Sequence, residues 1–131
     1  MLELAAAMRT VLGDRTIDDL PAGEDALAAL GAALLDGDDI PREVQVANAM
    51  NLAIAGIVNA LVHTGWEMHS ELGRPIHMVR GTDRVAPGTV VSELASGEMT
   101  PEAWRATCDR LGITGLRLAP EPTPEPAPAA A

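Results

Sequence analysis

Lysine, phenylalanine and tyrosine are absent from the 131 residues, tryptophan occurs twice and cysteine once. Each absence removes a class of chemistry. Sites that stack nucleobases or sugars use aromatic faces, and only Trp66 and Trp104 supply one, so such sites are disfavoured. The single cysteine, Cys108, permits neither an intrachain disulfide nor a cysteine-rich metal cluster, and its place in a predicted helix suits a small buried hydrophobe. The nine basic side chains, all arginine, face 19 acids, for a net charge of −10. A body of that sign repels phosphate backbones and anionic lipid, so neither nucleic acid nor membrane is expected as a partner.

What remains is rich in small and aliphatic residues. Alanine alone occurs 23 times, and hydrophobic residues make up 47% of the chain. Global disorder requires low hydrophobicity beside high charge, so a packed core is expected, with length for one domain over residues 1–118. Residues 1–40 hold nine acids and two arginines, making the N-terminal part an acidic, partner-facing candidate. The start, Met1-Leu2-Glu3-Leu4, has neither the basic stretch nor the sustained apolar run of a secretory leader, so a cytoplasmic location is expected. From Ala119 onward, alternating prolines favour an extended, disordered tail suited to tethering.

The hydrophobic periods predict an α+β fold, mostly helical. Three helices come first, over 2–12, 24–35 and 42–64. A β-hairpin over 66–80 follows, with its turn at Gly73-Arg74-Pro75. Two short helices over 88–95 and 101–111 precede a last short strand at 115–118, which joins the hairpin in a small antiparallel sheet. Thr100-Pro101-Glu102 is a strong helix start: a capping hydroxyl, a proline at the first helical position and an acid at the positive end of the dipole. Gly65 suits the left-handed position that would end the third helix.

That third helix carries no charge from Val44 to Val62, long enough for a membrane span to be weighed. The helical wheel argues against one, because Gln45, Asn48, Asn51, Gly56, Asn59 and His63 share an arc of about 140°. A central helix with one edge toward water fits better. Its apolar surface exceeds what 118 residues with few aromatics readily cover, so Leu52, Ile54, Ile57, Val58 and Leu61 are the candidate interaction residues.

All three histidines fall between positions 63 and 77. In the hairpin, Trp66, Met68, Ile76 and Met78 are expected on the core face, which places Glu67, His69 and His77 on the other. A turn centred on Gly73 sets His69 across from His77. Two imidazoles and a carboxylate are a candidate ligand set for zinc or another divalent ion with an open position, although the spacing matches no established motif. Asp36, Asp38, Asp39 and Glu43 lack the order of a calcium-binding loop and read as a capped turn. The two short helices have helix-turn-helix proportions, but Glu102 and Asp109 cancel Arg105 and Arg110 on the second. No nucleophile, phosphate-loop or dinucleotide motif occurs. The expectation is a non-catalytic interaction or accessory module without a cofactor, self-associating as a dimer or bound to a larger protein. The alternative is a small metal-binding protein or metal-dependent hydrolase using Glu67, His69 and His77.

Overall fold

The structure, a computed structural model, describes residues 2–34 and 40–119. Helices α1 (Leu2–Leu12), α2 (Glu24–Leu34) and α3 (Arg42–Val62) come first. Strands β1 (Glu67–His69), β2 (His77–Arg80) and β3 (Asp83–Val85) follow, then α4 (Pro87–Ser96) and α5 (Pro101–Leu111). The α+β class with a small three-stranded antiparallel sheet is the one the periodicities indicate. Local start and stop signals act as read. The Thr100 hydroxyl accepts the Ala103 N–H at 3.1 Å, with Pro101 at the head of α5. Gly65 adopts φ 92°, a conformation that L side chains resist, and turns the chain from α3 into β1.

Helix α3 is the centre of the packing, with α2, α4 and β1 against it. Two glycines set how closely the chain approaches it. A Cβ at Gly31 of α2 would lie 1.9 Å from the Gln45 carbonyl oxygen, so the two helices meet backbone to backbone. A Cβ at Gly56 would come within 3.0 Å of Leu118, which crosses α3 there. Ile17, Leu27, Ile57, Leu61, Trp104 and Ile113 form the buried centre.

Three details differ from the sequence reading. The third strand is β3, with Met78 opposite Val85, and the 113–118 segment does not join the sheet. That segment bridges instead to the loop after α1. Thr16 pairs with Arg117, the Ile17 N–H donates to Leu116 at 2.7 Å, and the Leu118 N–H donates to Arg15 at 3.0 Å. The physical reason is Trp104, whose indole N–H donates to the buried Ile17 carbonyl at 2.6 Å and ties α5 to the same loop.

Second, Gly56 does not share the water-facing arc with Asn51 and His63, because Leu118 covers it; Gln45, Asn48 and Asn59 are half-buried. Third, Trp66 and Met78 are buried, but Met68 and Ile76 are 54% and 40% exposed. β1 is an outer strand, and Met68 stands opposite Met78 beyond the layer that covers it. The Asp36–Asp39 turn and the tail beyond Ala119 lie outside the described residues, while Ala119 itself is buried.

Candidate functional site

The sheet pairing places His69 directly opposite His77, and Glu67 opposite Val79, as the turn at Gly73 requires. Alternation along β2 sends Met78 inward and leaves His77 and Val79 on the outer face. A Glu67 carboxylate oxygen lies 3.5 Å from His69 Nε2. Above this face is a concavity of about 210 Å³, lined by His69, His77, Val79 and Arg84 of the strands and by Glu71, Arg74 and Pro75 of the turn. Arg74 and Arg84 line the same space as both histidines. Arg74 is paired with Glu71 at 3.5 Å, which leaves Arg84 as the positive charge opposing a divalent cation there. Among the described residues, no group of three or more histidine, cysteine, aspartate or glutamate side chains is arranged to hold a metal ion. His63 stands apart as the C-cap of α3.

Cys108, the chain's single thiol, is not among the residues lining this concavity. Cys108 is buried, and burial, reinforced by the charges of Asp18 and Asp109, pushes its thiol up to about 12. Buried and held protonated at neutral pH, it presents no thiolate at the surface. Between α2, α3 and α4, a shallow depression of about 470 Å³ is lined by Glu24, Val46, Met50, Ser92, Ala95 and Ser96. Glu24 is the one acid in that lining, and it shares the Arg42 guanidinium with its neighbour Asp25.

The candidate interaction residues divide by side of α3. Leu52, Ile57 and Leu61 point inward and are at most 2% exposed, so they hold the fold together. Ile54 and Val58 are partly buried and flank the outward side. That side continues through Asn51, which the polar arc already turned toward water, and through Val44, Ala47, Ala55 and Val62, which the sequence reading does not single out. The seven-residue spacing of Val44, Asn51 and Val58 was the signal available for finding them. α3 is also the one helix among the described residues long and apolar enough to cross a membrane, a property that the core helix of a soluble fold shares.

A second exposed apolar group follows on the hairpin, where Met68, Leu72 and Ile76 lie open to solvent. All the exposed large hydrophobic side chains among the described residues, Val44, Val62, Met68, Leu72 and Ile76, therefore belong to α3 or to the hairpin after it. No protein-family model, curated protein or solved structure matches the chain.

Proposed function

We propose that the chain is a non-catalytic interaction or accessory module, cytoplasmic, which associates with itself or with a larger protein through the outward side of α3 and the adjoining hairpin. One observation carries this reading: among the described residues, the exposed large hydrophobic side chains belong to those two consecutive elements. Exposed large apolar side chains are costly in water, and a run of chain that carries them is a candidate place for another surface to dock. The net charge of −10 favours a protein over nucleic acid or anionic lipid as the occupant. The test is a photo-reactive side chain placed at Asn51 in the source cell, with Ala106 on exposed α5 as control. A covalent protein adduct from Asn51 alone is expected; no adduct, or adducts to lipid, overturns the reading.

A second reading keeps Glu67, His69 and His77 as ligands of a divalent metal in a binding protein or hydrolase. The cross-strand pairing of the two histidines favours it, and the charge of Arg84 in the same concavity counts against it. Metal analysis of the purified chain separates the two readings, because only the second requires a stoichiometric ion.

A further inference from the structure

The geometry points to the concavity on the outer sheet face as a site for a small phosphate monoester, held by Arg84, His77 and His69. The carrying observation is an arginine without a carboxylate in an acidic chain. Acids outnumber arginines 19 to 9, yet among the described residues no acid lies within ion-pair distance of Arg84. The acids nearest the concavity are already engaged: Glu71 pairs with Arg74 at 3.5 Å, and Glu67 lies 3.5 Å from His69 Nε2. Asp83 alternates with Arg84 along β3 and so belongs to the opposite face. Glu93 borders a separate depression of about 140 Å³ that Arg84 also lines.

Strand register brings the donors together. His69 stands opposite His77, and Arg84 stands opposite Val79, two residues further along β2. His77 is therefore one diagonal step from Arg84 on the same face, about 7–8 Å, a gap that an arginine side chain spans. The guanidinium carries five N–H groups in a fixed fork, and each neutral imidazole carries one. A phosphate monoester has three terminal acceptor oxygens, one more than a carboxylate has, so it can engage all three side chains at once.

Volume and charge suit the same ligand. A cavity of roughly 150 Å³ accommodates a benzene-sized molecule, so the 210 Å³ here takes a phosphate with a few carbon atoms beside it, against Val79 and Pro75. The net charge of −10 is carried elsewhere, because residues 66–86 hold three acids and three arginines. Exposed charges more than about 8 Å away are largely screened at physiological salt. A long polyanion would meet the acidic remainder of the chain, whereas one small phosphate does not. The Arg84 charge that opposes a divalent cation is the charge that attracts this anion. Without the ligand, these side chains face water.

An NMR titration of the isotope-labelled full chain at neutral pH tests the site, with sodium chloride at matched ionic strength as the blank. Inorganic phosphate should give saturable amide shifts confined to the three strands and the turn at Gly73, with a dissociation constant on the order of millimolar. Glycerol phosphate should bind more tightly than the inorganic ion, because its carbons fill the remaining space. Arg84→Gln should weaken both by about tenfold or more, since a charge-assisted contact is lost. Arg110→Gln, at an exposed position of α5, should change neither. Unchanged melting temperatures without phosphate establish that both variants are folded. Shifts that scatter over the chain or never saturate overturn the site, and so does an Arg84→Gln chain that binds as well as the unsubstituted one. A phosphoserine peptide that binds more tightly than glycerol phosphate overturns the small molecule as its ligand.

Discussion

The indole of Trp104 donates to the carbonyl of Ile17 at 2.6 Å, joining α5 to the loop after α1 across 87 positions of sequence. The other tryptophan, Trp66, is equally buried, but its indole N–H has no hydrogen-bond partner among the described residues, and the Arg80 guanidinium lies 4.7 Å from its ring centroid. Replacing each by phenylalanine separates packing from hydrogen bonding. Trp104→Phe withdraws the donor from a buried carbonyl and should cost about 1–3 kcal/mol more than Trp66→Phe, read from denaturant midpoints. Equal costs would show that the Trp104 hydrogen bond contributes nothing net.

Gly31→Ala tests the contact between α2 and α3. An alanine normally favours a helix, by about 1 kcal/mol over glycine. Here its Cβ meets the Gln45 carbonyl oxygen at 1.9 Å, and backbone cannot yield as a side chain tip does. The helices must separate, so the substitution should destabilise by at least about 2 kcal/mol despite its propensity gain. Urea unfolding monitored by circular dichroism checks the sign, which is the opposite of the propensity expectation.

Stability should fall with rising pH above about 9, in part through Cys108. Its ordinary thiol value is 9.0, and the folded state raises it to about 12. Between those values the unfolded chain has released a proton that the folded chain retains, so the contribution is intact below pH 9 and is lost toward 12. Asp18 acts at the other limb. Burial pushes its carboxyl up, but hydrogen bonds from the Gly115 N–H and Thr16, with the nearby Arg105 guanidinium, hold it below 3.8. Its contribution is present above pH 3.8 and lost as the pH falls through the lowered value. Cys108→Ala should flatten the alkaline limb and Asp18→Asn the acid limb, as read from thermal melts across pH.

The histidines of the outer sheet face should act as solvated side chains. His69→Ala with His77→Ala should change stability by under roughly 0.5 kcal/mol, as surface substitutions usually do, His69 being exposed and His77 half-buried on the outer face. Added zinc should leave the melting temperature of the unsubstituted chain unchanged, because a specific ligand stabilises by RT ln(1 + [L]/Kd). A zinc-dependent rise that disappears in the double variant would promote the metal-binding reading.

Much of this fold was legible because its signals are local. α1 and α5 end where their periods and caps place them, and the His69–His77 register follows from alternation about one turn. The illegible parts depend on distant partners. β3 is three residues long, too short for its alternation to stand out. The 113–118 segment has strand-like sequence, and the side of the molecule it joins is decided by Trp104 and Ile17. On α3, a wheel sorts residues by angle but cannot tell which angle faces α2. Leu52, Ile57 and Leu61 thus seemed available for docking, while Val44 and Val62 passed unnoticed.

The most direct test of the division of α3 into an inward core side and an outward docking side is sedimentation equilibrium beside thermal melting. The pair to compare is the full chain and the double variant Val44→Glu, Val62→Glu, whose sites are 43% and 47% exposed. With a second copy as occupant the unsubstituted chain should associate reversibly with rising concentration, and with a larger protein as occupant it should sediment as a monomer. The variant should remain monomeric while keeping its melting temperature, whereas Ile57→Asp on the inward side should unfold the chain. A variant that associates as before, a variant that loses its fold, or an Ile57→Asp chain that keeps its fold would each contradict the account.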